Sequence, residues 1–524
     1  MRRIATILIL LATTGCFDAL DSRYLNPDKT TTVTVDKLFT GMLANHRVWP
    51  MYWEISTFVN WHIGIYAQTI GFLNSPTVYQ QNESYIQDRW NDFYRPSANG
   101  AGVMILYKQL ETIYVALPTD QQEKSEIFLL AARTVLYDQA TQMVDLWGDI
   151  PFSEAGSLAN AGSIQYPRFD KGEEVYQAAI EELEFINKRL GEIVVDNETR
   201  SLFASQDILM GGSIEHWREF VNSLRLRLLM RTSYVNEAYA KNQVTNMLVN
   251  SINFPLIGDD HYMAGQDDVL LAPAKTYTGD LHAAFNDWIN FPAPYFMLEK
   301  VLKPANDLRI PVLFDKYGSI VNSQFVQNPS YNALPLNVSR TDQQSLLTKH
   351  AILDSTTFLY NTRLPGIVMT VAEVNFLRAE AFERWGLGDA KTEYADGIKN
   401  SIKFYYYLNN LNTARTKLPP PTDAQIAASV NGEPALQYSG GVSDKLELIA
   451  TQKWVHFGVL QSVQAWAELR RTNLPKLTFP SSPTGPPNPP SRLTYPLSER
   501  TSNPNYSRVS GADSRTVPVF WDVF

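Results

Sequence analysis

Between Thr370 and Tyr407 the sequence describes a helical hairpin, and this unit restricts the fold more than any other feature. Val374, Leu377, Ala381 and Trp385 recur at spacings of three and four, which lays one apolar stripe along a helix. Gly386 suits the residue after a helix end, and Asp389 suits the cap of a second helix running to about Tyr407. Ala379 and Ala381 give the two helices room to approach. Neither helix can bury its stripe alone, so the chain must stack such pairs.

Similar stripes occur elsewhere. Leu129, Ala132, Leu136, Ala140, Met143 and Trp147 mark a helix from Glu126 to Trp147, ended by Gly148-Asp149-Ile150-Pro151. Val175, Ala179, Leu183, Ile186 and Leu190 mark another from Gly172 to Leu190, and His216 to Tyr234 is a third. A final long helix is expected from near Asp444, with Glu447 completing a capping box, through Trp454 and Trp466 to about Arg471. The pairs come at irregular intervals, so the predicted fold class is all-α. Tetratricopeptide-like helix pairs form a scaffold, with a loop-rich cap that has room for a short β-hairpin.

The texture between the pairs is different. Residues from about 246 to 365 are rich in Pro, Gly, Asn, Asp and aromatics with little periodicity, and Pro475 to Pro490 forms a second such stretch. Loops held by a rigid scaffold are where binding residues collect. The expected organisation is one domain over residues 36–524. Its scaffold covers about 36–245 and 366–475, its cap about 246–365, and its C-terminal loop region 476–524. With 524 residues, roughly 78% of the unfolded chain's surface can be buried, so the core needs no staples.

Cys16 is the single cysteine, which removes internal disulfides and cysteine-based zinc sites. Before it stand a positive Met1-Arg2-Arg3, an apolar run from Ile4 to Ala12, and the small residues Thr13-Thr14-Gly15. That run is too short to cross a hydrocarbon layer, which takes about 20 helical residues. Residues 1–15 therefore read as a lipoprotein signal peptide. The arrangement resembles a bacterial lipobox in which Cys16 is lipidated, and the polar stretch 16–35 reads as a tether.

Catalytic motifs are missing from the sequence. There is no His-Glu-x-x-His, Gly-x-Ser-x-Gly, phosphate loop or dinucleotide fingerprint, and the 7 histidines form no metal-binding pair. No metal or cofactor is expected. The acidic doublets Asp259-Asp260 and Asp267-Asp268 are the sole support for a glycoside hydrolase, whose two carboxyls need a separation that only the fold can set. With 45 Lys+Arg against 54 Asp+Glu the net charge is -9, which excludes a general grip on nucleic acid.

Aromatic abundance remains: 11 Trp, 26 Tyr and 25 Phe. Trp147, Trp217, Trp385, Trp454 and Trp466 fall within helical stripes, and they and Trp90 read as core. Sugar rings need an aromatic face beside amides and carboxylates. Trp61 and Tyr79 flank Asn74, while Tyr277, Trp288 and Phe291 crowd the cap beside Asn286, Asp287 and Asn290. Trp61, Asn74, Tyr79, Tyr277, Trp288 and Phe291 are the candidate ligand-binding residues, and substitution of Trp288 or Trp61 is expected to weaken binding.

Several segments occur in a telling order: the lipobox, Asn26-Pro27-Asp28, Asp145 to Phe152, Leu308-Arg309 to Phe314-Asp315, Met369 to Glu380, Trp466 to Arg471, and Tyr495 to Glu499 with Asn503. Together they resemble the SusD/RagB family of outer-membrane nutrient-binding lipoproteins of Bacteroidota, over nearly the whole chain. The resemblance implies a non-catalytic surface protein that captures oligosaccharides, or in some members peptides. It also implies a partner, a SusC-like TonB-dependent transporter barrel, on which the protein sits as a lid. A helical-repeat scaffold for protein assembly is the remaining alternative.

Overall fold

The computed structural model describes residues 33–44, 47, 51–95, 102–156, 166–259, 261–273, 283–284, 291–482 and 484–524. The signal segment and Cys16 lie outside these residues, as do Tyr277, Trp288, Asn286, Asp287, Asn290 and Asp260.

Long helices build the body: α1 (Val35–Leu43), α2 (Glu83–Tyr94), α3 (Val103–Ala116), α4 (Thr119–Trp147) and α5 (Gly172–Glu192). Later come α6 (Ile214–Arg231), α7 (Val371–Trp385), α8 (Ala390–Leu411), α9 (Val442–Phe457) and α10 (Ser462–Thr472). α5 packs on α6 and α7 on α8, so the expected helix pairs are the units of the fold. In the α7–α8 pair the Thr370 side chain accepts from Glu373 N–H, and Gly386 closes α7 at φ 66. Asp389 accepts from Lys391 and Thr392 N–H at the start of α8. The helices come so close at Gly397 that a Cβ there would meet the Phe376 ring at 2.6 Å.

One expectation is corrected. The stretch from Asp444 to Arg471 is two helices, α9 and α10, because Gly458 takes φ 48 and turns the chain between them. Nor is Asp444 the cap: it lies inside α9, where its carboxylate accepts from Gly441 N–H at 2.8 Å. Both helices bury their tryptophans, Trp454 and Trp466, in the common core, so the apolar pattern runs on through the break.

The core is threaded by charge. Arg471 of α10 grips Glu380 of α7 at 2.8 and 2.6 Å and Glu468 at 2.9 and 2.6 Å. Lys453 of α9 joins both carboxylates, at 3.3 and 2.5 Å. Arg231 of α6 links Glu468 at 3.1 Å to Asp145 of α4 at 3.2 Å. Asp145 also accepts from Trp521 Nε1 at 2.9 Å and from the Tyr176 hydroxyl. A buried ion is tolerated only when paired, so this chain of contacts fixes how six helices sit against one another.

The cap carries short strands. Val269–Leu271 pairs antiparallel with Gly366–Met369, and Phe314–Asp315 with Ile352–Leu353. Gly318–Val321 and Gln324–Gln327 form a β-hairpin whose turn residues, Asn322 and Ser323, take φ 49 and 62. Asp259 and Asp268 serve turns and helix ends. Asp259 accepts from Leu256 N–H and pairs with Arg378 at 2.9 Å, while buried Asp268 accepts from Gly265 and Val371 N–H.

Candidate ligand-binding cleft

Glu54–Ile63 forms a π-helix, whose i→i+5 bonding departs from the 3.6-residue period of an α-helix. This helix divides its side chains between core and surface. Phe58 and Ile63 are fully buried, whereas Trp61 keeps 49% of its surface exposed. An indole held half in water by a buried helix is a platform for something to lie against.

Phe291 stands beside it, ring centroids 5.2 Å apart and planes at 89°. The approach depends on Gly71. Its N–H donates to Pro292 O at 2.8 Å, and a Cβ at Gly71 would meet that oxygen at 2.5 Å. Asn60 of the π-helix donates to Ala284 O at 3.3 Å, a second tie between helix and cap.

These rings line a cleft of about 670 Å³, within the usual range for small-molecule sites. Phe72, Ile65 and Tyr85 extend its apolar floor, and Ser75, Thr77, Gln80, Asn82 and Arg340 supply polar groups at its walls. Asn82 caps α2 by accepting from Ser84 and Tyr85 N–H, which sets Tyr85 in the first turn facing the cleft. His62 fastens the two walls together. Its Nδ1 donates to Thr57 O at 2.9 Å, and its Nε2 accepts from Asn82 N–H at 3.0 Å. Burial lowers this imidazole to about 4, so it is neutral at physiological pH and acts as a fixed strut.

Trp61 and Phe291 thus share one cleft. Asn74 and Tyr79 lie behind its wall. The Asn74 amide donates to Leu336 O at 2.7 Å and Val338 O at 2.8 Å, and Asn74 N–H donates to Gln343 Oε1 at 2.7 Å. These bonds hold the segment that carries Arg340, whose Nη1 donates to Asn74 O at 3.2 Å. Tyr79 is 1% exposed and its hydroxyl donates to Pro480 O at 2.9 Å, which anchors the same wall to the C-terminal loops. Tyr277 and Trp288 belong to the undescribed part of the cap. Sequence reasoning missed Tyr85, Gln80 and Arg340. Asn82 is a residue type that caps helices, a signal that could have placed Tyr85 in a first helical turn, and no local pattern marks the other two.

Among the described residues no group of three or more His, Cys, Asp or Glu is placed to hold a metal ion. No described helix is long and apolar enough to cross a membrane.

A family model described as starch-binding, associating with outer membrane, SusD-like, matches residues 29–496. The chain belongs to the SusD-like family. Solved SusD-like structures superpose over nearly the whole molecule. One described as a chitin-binding protein has a TM-score of 0.73 at 22% identity, covering 93% of this chain and 100% of its own. A chitin-binding SusD homologue from Flavobacterium johnsoniae has a TM-score of 0.70 at 21% identity, covering 93% and 98%. A SusD homologue from Bacteroides fragilis gives 0.69 at 18% identity, covering 94% and 100%. At these identities the likeness is one of fold. No curated protein matches the sequence. The SusD-like scaffold is therefore common to all of these proteins, whereas what this cleft takes must be argued from its own side chains.

Proposed function

We propose that this SusD-like protein is a non-catalytic lipoprotein of the cell surface, held in the outer membrane through lipidated Cys16. It captures oligosaccharides in the Trp61 cleft and hands them to a partner SusC-like TonB-dependent transporter. Residues 1–15 are the signal peptide and 16–35 the tether of this reading, and 36–524 form one domain. Tyr277 and Trp288 are proposed to add aromatic surface from the cap.

One observation carries the proposal: the half-exposed Trp61 indole beside Phe291, in a cleft walled by amides, hydroxyls and a guanidinium. A sugar offers C–H faces to a ring and hydroxyls to polar neighbours, and this cleft presents both. The family description and the chitin-binding neighbours support the same ligand class.

A panel of maltooligosaccharides, chitooligosaccharides and mixed peptides, followed by tryptophan fluorescence, tests the reading. Saturable quenching by at least one oligosaccharide, with none recovered shortened after overnight incubation, is the expected result. Binding of peptides alone, or release of new reducing ends, would overturn it.

A further inference from the structure

The chain is acidic overall, with 45 Lys+Arg against 54 Asp+Glu, yet the Trp61 cleft carries the opposite sign. Among the described residues no Asp or Glu lines it, and Arg340 is its one charged group, since burial keeps His62 neutral. The acids nearest in sequence are committed elsewhere. Glu83 pairs with Arg500, and Asp342 accepts from the Ser339 hydroxyl at 2.6 Å. Among the described residues Arg340 uses a single N–H, from Nη1 to Asn74 O at 3.2 Å, and pairs with no carboxylate.

The loop that presents this guanidinium is braced. The fully buried Gln343 amide donates to Pro335 O at 2.9 Å and accepts from Asn74 N–H at 2.7 Å, while the Asn74 side chain holds Leu336 O and Val338 O. A ligand that grips Arg340 therefore has little chain left to order.

The other polar groups, Ser75, Thr77, Gln80 and Asn82, are neutral amides and hydroxyls. They meet the hydroxyls of any sugar, so they set no preference for charge. The guanidinium does set one. Its planar fork matches the paired oxygens of a carboxylate or sulfate, and such charge-assisted bonds are roughly twice as strong as neutral ones. A water or a sugar hydroxyl at Arg340 makes only the weaker bond and leaves the positive charge uncompensated.

We propose, resting on the reading of this cleft as an oligosaccharide site, that its preferred ligands are acidic oligosaccharides, with a carboxylate or sulfate group on Arg340 and another ring of the same ligand on Trp61. Neutral oligosaccharides bind the same cleft through stacking and hydroxyl contacts, but less tightly.

Matched pairs test this by calorimetry on the mature protein: oligogalacturonides against their carboxyl-reduced counterparts, and sulfated galactan oligosaccharides against their desulfated forms. At least one acidic series should bind about tenfold tighter than its neutral counterpart. That advantage should shrink as sodium chloride is raised, while the neutral affinity holds. The series that shows it identifies the group as carboxylate or sulfate. Arg340→Gln should erase the advantage and keep the neutral affinity, and Arg340→Lys should retain part of it. Equal affinity within both pairs, or an advantage that survives Arg340→Gln, would overturn the proposal while leaving oligosaccharide capture intact. Failure of every acidic and neutral oligosaccharide to bind would overturn both. The matched pairs decide on the natural protein alone, whether or not a variant folds.

Discussion

The Trp61 indole and the Phe291 ring meet edge to face at 5.2 Å, although 230 positions of chain separate them. Phe291 is buried and Trp61 is half-exposed, so the first ring braces the second. Trp61→Ala is expected to lower oligosaccharide affinity tenfold or more, about 1.4 kcal/mol, with little change in Tm. Phe291→Ala should instead destabilise the protein by about 3–5 kcal/mol, as core Phe truncations do, read by urea denaturation. Trp53, at the N-cap of the same helix, is equally exposed but does not line the cleft, so Trp53→Ala should leave affinity unchanged.

Tyr79 and Asn74 give a contrasting prediction. Tyr79→Phe removes the bond to Pro480 O and should cost about 1 kcal/mol of stability without altering affinity. Asn74→Ala strands the carbonyls of Leu336 and Val338, and frees the segment bearing Arg340. It should lower stability by about 1–3 kcal/mol, and calorimetry should show weaker ligand binding as well.

A pair of carboxyls in the cap predicts a pH dependence. The pairing of Phe314–Asp315 with Ile352–Leu353 brings Asp315 against Asp354, both at the start of the helix Ser355–Leu359. Burial, and then the Asp315 charge, push Asp354 up to about 8. A carboxyl raised on folding contributes stability that is complete below its ordinary 3.8 and is lost as pH rises through about 8. Asp315→Asn weakens this effect. The Tm of the variant relative to the natural protein should therefore climb between pH 5 and pH 8, and a constant difference would contradict the pairing.

The buried network predicts the opposite slope in acid. Burial pushes Glu380 up, but Arg471 and Lys453 outweigh it and hold the carboxylate down at about 2. Its stability contribution is present above the ordinary 4.5 and fades as pH falls toward 2. Arg471→Met should cost about 3–5 kcal/mol at neutral pH and lessen the acid loss, because Glu380 then rises toward its ordinary 4.5; urea titrations should show a smaller gap between variant and natural protein at pH 4 than at pH 7.

The scaffold was legible for a physical reason. Thr370, Gly386 and Asp389 act within one or two turns of where they stand, so their roles are local and readable. Several of the segments that suggested the family prove to be scaffold. Asp145, Glu380, Glu468 and Arg471 belong to one buried network, and Tyr495 reaches back to Asp149 O at 2.6 Å. The cleft is different. Trp61, Tyr85, Phe291 and Arg340 come from four separate segments, and the helix that carries Trp61 follows a period that amphipathic patterning does not detect. The break at Gly458 escaped notice because the stripe on either side of it faces the same core.

Isothermal titration of the mature protein and of Trp61→Ala against maltooligosaccharides and chitooligosaccharides tests the central claim most directly. The account predicts saturable binding of at least one oligosaccharide by the natural protein, weakened tenfold or more by the substitution. Equal affinity in the two proteins would contradict it.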